Sequence, residues 1–125
     1  MKDDIRVIYP IDRSELRLHV EINNNTNAVD WKCLVDEDNK CWGEYIDYWR
    51  DSGKVYFIGF SIADKQVGIW TRYNKDGSFD DKFFFSFLNP GKDIDEFEYK
   101  KELAMIRLGI IKVPALDIKI SDYEQ

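Results

Sequence analysis

An α+β fold, an antiparallel β-meander carrying one helix near its C-terminal end, is predicted by three features of the 125-residue sequence. Apolar and polar residues alternate through most of the chain, turn-forming clusters interrupt the alternation at short intervals, and one late stretch switches to helical spacing. Ile5, Val7 and Tyr9 alternate with polar positions before Pro10, and Leu16, Leu18, Val20 and Ile22 alternate with Arg17, His19 and Glu21, which gives two opening strands. Asn23 to Asn27 reverses the chain, since these side chains tolerate left-handed backbone and close local turns. Val29, Trp31, Cys33 and Val35 alternate again, followed by a second reversal at Asp36 to Asn39. Asp51-Ser52-Gly53, Ala63 to Gln66 and Asn74 to Gly77 then separate strands expected near Trp42 to Trp49, Val55 to Ile62, Val67 to Tyr73 and Ser78 to Phe87. Asn89-Pro90-Gly91 ends the sheet, because proline donates nothing to a ladder.

The spacing of Asp93 and Glu96 predicts a capped helix start, and Gly109 its stop. Tyr99, Leu103, Ile106 and Ile110, joined by Phe97, Ala104 and Leu108, form the apolar stripe, with Lys100, Lys101 and Glu102 in the polar remainder. After Pro114, Leu116, Ile118 and Ile120 alternate with Asp117 and Lys119, predicting a last strand before a polar tail from Ser121 to Gln125. In all, six to eight strands, open or curled, carry one helix on one face. No linker or composition shift divides residues 1–125, so a single domain is expected.

Sixteen of the 19 aromatic residues fall between Trp42 and Tyr99. A helix of about 16 residues is roughly 24 Å long and 10 Å wide, and strands lie ~4.8 Å apart, so it shelters two or three of them. A meander this wide either curls on itself or leaves aromatic surface uncovered, and uncovered aromatic surface marks interaction. Phe79, Phe83, Phe85 and Phe87 share one parity and are expected beneath the helix.

Eighteen Lys and Arg against 24 Asp and Glu leave a net charge of −6. That field repels nucleic-acid phosphates and anionic lipid and attracts cations, so a basic protein partner is expected, with no direct nucleic-acid binding and no membrane. Apolar runs such as Phe83 to Phe85 fall far short of the ~20 residues needed to cross a bilayer. Charges within the first six residues argue against a cleaved leader and for a cytoplasmic location. Cys33 and Cys41 lack the companions of a zinc site or a disulfide framework, so reduced thiols are expected, with pairing across a hairpin as the alternative.

No catalytic set is legible, and neither a cofactor nor a metal is expected. His19 is the single histidine and lies on the polar side of its strand, while no serine sits in a nucleophile-elbow frame. Cys33 shares the apolar register of Trp31 and Val35, where a buried inert thiol is the ordinary outcome. Asp36, Glu37 and Asp38 lack the spacing of a calcium loop, and Glu44 with Asp47 or Asp80 with Asp81 are pairs of acids that this composition produces by chance.

Gly43-Glu44-Tyr45-Ile46-Asp47-Tyr48 and Gly68-Ile69-Trp70-Thr71-Arg72-Tyr73 share the frame Gly, x, aromatic, x, x, Tyr, and turn glycines Gly53 and Gly77 follow. This is an internal repeat of about 25 residues, the length of a two-stranded unit. Its two aromatic positions, three residues apart, point to opposite faces of a regular strand. The frame resembles the MORN-type hairpin repeat, particularly the variant in bacterial antitoxin proteins, with Lys65 to Gly77 the nearest stretch and Trp42 to Val55 a looser copy. The resemblance covers about residues 42–79 and implies a hairpin array and neutralisation of a toxin by binding. Rings interleaved with acids have the composition of a hot spot for a basic protein. The expected partner-binding residues are Glu44, Tyr45, Asp47, Tyr48, Trp49, Asp51, Trp70 and Tyr73. The function expected is thus a non-enzymatic, acidic immunity or antitoxin-type inhibitor that occludes a basic toxin or nucleic-acid-processing enzyme. The alternative is a small-molecule or carbohydrate-binding, barrel-like domain with Trp49, Trp70 or Tyr73 at its mouth.

Overall fold

The structure is a computed structural model and describes residues 5–124, so the charged start before Ile5 and the final Gln125 lie outside it. Strands β1 (Arg6–Val7), β2 (Arg17–Ile22), β3 (Val29–Val35), β4 (Cys41–Tyr48), β5 (Val55–Ile62), β6 (Lys65–Tyr73) and β7 (Phe79–Phe85) precede helix α1 (Glu96–Arg107) and strand β8 (Ile111–Lys112). β2 to β7 form one six-stranded antiparallel sheet in sequence order, and β1 pairs β8 in a separate parallel ribbon. The α+β meander with one helix is therefore as the sequence predicts. The sheet is open, with β2 and β7 as its edges, so the barrel expected under the alternative reading does not form.

One face of the sheet is covered. Leu34, Ile62, Val67 and Phe87 pack there against Tyr99 of the helix and against Ala115, Ile118 and Ile120 of the C-terminal segment. That segment is not the strand its alternation predicts. It forms two 3-10 turns, Pro114–Asp117 and Ile120–Asp122, and lies across the sheet. Alternation over so few residues reports burial of one side, and Pro114 starts a turn here. Gly43 marks the crossing: with φ +79° and Ile118 against its Cα, it has no room for a Cβ. The Glu44 amide donates to Ile118 O at 2.9 Å, and the Ile120 amide donates to Glu44 Oε1 at 2.9 Å.

The helix starts two residues later than its expected cap. Asp95 accepts from the Glu98 amide at 2.8 Å, whereas Asp93 bridges to Phe85 at the end of the sheet. The stripe is also narrower than predicted, since Phe97 and Leu108 are exposed. Glu102 turns inward instead, its carboxylate accepting from Ser86 Oγ at 2.6 Å and from the amides of Phe87 at 2.5 Å and Leu88 at 3.3 Å. A buried carboxylate is tolerable because three donors replace its water. Among the four phenylalanines expected under the helix, only Phe87 belongs to the covered core, while Phe79 is 57% exposed and Phe83 belongs to the other face. Phe84, of opposite parity, is the ring that meets Tyr99, at 5.1 Å. Phe87 regains the covered side because β7 ends at Phe85 and the chain turns before it.

The cysteines correct the expectation of reduced thiols. Cys33 and Cys41 form a disulfide with Cα atoms 6.0 Å apart. A bulge after Cys33 sets Cys41 opposite Val35, so both cysteines point to the same face of the β3–β4 hairpin as diagonal neighbours. No helix among the described residues is long and apolar enough to cross a membrane.

Candidate functional site

The second face of the sheet carries its own side-chain order. Register places His19, Cys33, Tyr45 and Gly59 side by side across β2 to β5, and Trp70 beside Phe83 across β6 and β7. An adjacent row runs Glu21, Trp31, Asp47, Phe57, Arg72 and Asp81 across all six strands. Ring contacts knit the rows together: Trp31 stacks on Tyr45 at 5.8 Å, Tyr45 meets Trp70 at 5.5 Å, Phe57 meets Trp70 at 5.0 Å, and Phe83 meets Phe57 at 5.9 Å. The small cluster on this side, Cys33, Val35 and Cys41 with Trp31 and Tyr45, is built from sheet residues alone.

Trp70 is the floor of this surface, only 3% exposed. Gly59 explains how an indole lies so low: a Cβ there would collide with the Trp70 ring at its Cδ2. The indole Nε1 donates to Phe60 O at 2.9 Å, which satisfies its one donor. Above it, Tyr45, Phe57, Asp47 and Gln66 border an open cleft of about 280 Å³. Asp64 closes one end, at a hairpin turn in which Ala63 and Asp64 both have positive φ. Its carboxylate accepts from the Cys41 amide at 2.6 Å, and its own amide donates to Cys41 O at 2.9 Å.

Asp47 lies on this surface between Trp31 and Phe57 in the register. Burial raises its pKa above the ordinary carboxylate value and the charge of Asp30 raises it further, while the Tyr48 amide and Arg50 oppose the rise. Burial, with the Asp47 charge second, pushes the Tyr45 phenol up to about 12. Arg50 Nε stands 3.2 Å from Asp30 Oδ1, outside hydrogen-bond alignment, so that buried oxygen has a counter-charge but no hydrogen bond. At the other end of the row, Arg72 pairs with Asp80 at 2.7 Å and lies 5.0 Å above the Phe83 ring.

The eight residues expected to bind a partner are thus divided by the pleat. Tyr45, Asp47 and Trp70 come together on the uncovered face. Glu44 does not belong with them, because its carboxylate holds the Ile120 amide under the C-terminal segment. Tyr48 lies on the covered side with Lys32 Nζ 5.9 Å from its ring centroid. Tyr73, beside Ile58, likewise faces away from Trp70. Trp49 and Asp51 tie the ends of two hairpins: Trp49 Nε1 donates to Tyr73 O at 3.1 Å, and Lys75 pairs with Asp51 at 3.3 Å. Trp31, Phe57 and Arg72 are the members that sequence reading missed. They share no motif, and their signal is register across strands, which a linear pattern does not contain.

The internal repeat has a backbone counterpart. Gly43 and Gly68 have φ of +79° and +71°, and the two turn glycines Gly53 and Gly77 are also left-handed at +72° and +94°. In each unit the first aromatic, Tyr45 or Trp70, faces the open side and the later tyrosine the other. Among the described residues no three His, Cys, Asp or Glu side chains converge as a metal-ligand set. Comparison of the chain with family models, with curated proteins and with solved structures finds no match.

Proposed function

We propose that this chain is a non-enzymatic binding protein that captures a basic protein on its uncovered sheet face and neutralises it by occlusion, as an immunity or antitoxin-type inhibitor does. One observation carries the reading: a continuous row of rings interleaved with carboxylates lies on a face over which no other element packs among the described residues. Half-exposed Trp31, Tyr45, Phe57 and Phe83 offer desolvation area, and Glu21, Asp47 and Asp81 offer charge to a cationic surface. The net charge of −6 adds long-range steering toward such a partner. The resemblance of residues 42–79 to the bacterial MORN-type repeat points the same way.

The test is co-expression with the products of neighbouring genes, with a photo-reactive phenylalanine at position 19 on the open face or position 103 on the helix. A basic protein cross-linked from position 19, and released as salt rises, is the expected result. Cross-linking only from position 103, or no stable partner at low salt, would overturn the reading. A second reading, a small-molecule or carbohydrate binder, draws on the cleft of about 280 Å³ above Trp70. A saturable change in tryptophan emission with a sugar, and none with a basic protein, would reverse the order.

A further inference from the structure

The uncovered face contains one finished charge site and one unfinished site beside it. In the finished one, the Arg72 guanidinium lies 5.0 Å above the Phe83 ring and its Nε donates to Asp80 at 2.7 Å. One step along the same row, Phe57 lies between Arg72 and Asp47. Here the ring and the carboxylate are present, but Asp47 makes no ion pair among the described residues, and only the Tyr48 amide and the Arg50 charge stabilise it. The neighbouring charges are committed elsewhere, Arg50 to Asp30 and the Asp64 carboxylate to the Cys41 amide. The cleft of about 280 Å³ between Tyr45, Phe57 and Asp47 is open to solvent at this point.

We infer that this cleft receives a single arginine side chain of the partner, its guanidinium lying against Phe57 and Tyr45 and donating to the Asp47 carboxylate. The inference rests on the proposed capture of a basic protein and names the group that is recognised. A guanidinium suits the place better than an ammonium for two reasons. It is planar and weakly hydrated, so it stacks on a ring and loses little on leaving water, and its fork of N–H groups matches a carboxylate. The Trp70 floor, with its own N–H already given to Phe60, competes for neither Asp47 oxygen. Burial lifts the Asp47 pKa and the Asp30 charge adds to the rise, a cost that an incoming cation relieves.

The probe is the blocked tripeptide acetyl-Gly-Arg-Gly-amide, titrated into the full chain at low ionic strength and followed by amide and indole NMR shifts. Saturable shifts at Trp31, Tyr45, Phe57 and the Trp70 indole are expected, with the citrulline tripeptide weaker by about tenfold or more because it keeps the shape and loses the charge. Asp47→Asn is expected to weaken the arginine tripeptide similarly, and Asp51→Asn to leave it unchanged. The inference is overturned by equal binding of arginine and citrulline, by equal binding of a lysine tripeptide, or by no loss in Asp47→Asn. Seating of the tripeptide in a protein that captures no basic partner would sink the proposed function and leave the site standing. Capture of a basic protein with undiminished strength by Asp47→Asn would do the reverse.

Discussion

The two faces of the six-stranded sheet are both rich in rings, yet they are held by different means. On the covered face, Phe87, Ile62 and Leu34 are enclosed by a helix and a C-terminal segment that supply partners from distant parts of the chain. Across the sheet, Trp31, Tyr45, Phe57, Trp70 and Phe83 are in contact mainly with one another, within the strands themselves. Aromatic content alone therefore does not identify a core. What separates the faces is whether sequence-distant elements supply a second layer, as domain architecture requires of a buried sheet face.

The comparison breaks most sharply at Phe87. Phe87→Ala is expected to cost about 3–5 kcal/mol, read as a fall in the denaturant midpoint, since it empties a fully enclosed site. Truncating Trp31 on the open side should cost only about 1 kcal/mol of stability, because a half-exposed ring forfeits less burial, while abolishing most of the partner affinity. Equal losses of stability at the two positions would mean that the open face is a core in its own right. Gly43→Ala comes next, at about 3 kcal/mol from left-handed strain together with collision against Ile118. Gly68→Ala should cost less, because Phe87 leaves 3.1 Å where Ile118 leaves no space. Reduction of the Cys33–Cys41 disulfide, which closes a loop of about nine residues, removes roughly 2–3 kcal/mol in the chain-entropy picture. Thermal melts with and without reductant measure it.

The smallest expected effect is the most telling about function. The fold raises the pKa of Asp47 above its ordinary value of 3.8. In the window between 3.8 and that raised value the native state holds the proton more than the unfolded chain does, so this group's contribution to stability falls as pH rises. Asp47→Asn should therefore raise the melting temperature slightly at neutral pH while weakening the basic partner. Affinity for that partner should decline on acidification through the raised Asp47 pKa, before ordinary carboxylates protonate. Asp30 and Arg50 are the charged groups that face Asp47, and Arg50→Gln should move the midpoint further upward. A variant that lost stability together with binding would point to a structural role for Asp47.

Much of the fold was legible because period-two alternation and turn chemistry are local. The six strands from Arg17 to Phe85, the helix and its stop near Gly109 all follow from residues within a few positions of one another. The errors share a cause in longer-range packing. Leu116, Ile118 and Ile120 alternate as a strand would, but a segment crossing a sheet buries one side just as an added strand does. Glu102 reads as solvent-facing until the Ser86 to Leu88 turn is folded against it. For the candidate site, the repeat points to Tyr45 and Trp70, and the interleaving of rings with acids points to Asp47. Trp31, Phe57 and Arg72 are visible only with the register, which irregularities shift by one residue at Asp47 and by two at Cys33 and Ile58.

The central claim, an uncovered aromatic face with a negative field, is tested most directly by ionic quenching of tryptophan emission in a Trp49→Phe background. Trp42 and Trp70 are nearly enclosed, so Trp31 reports on the open face, between Glu21 and Asp47 in the register. Caesium should quench it more strongly than iodide at low ionic strength, and the difference should shrink in Asp47→Asn. Equal quenching by the two ions, or emission that neither reaches, would contradict the account.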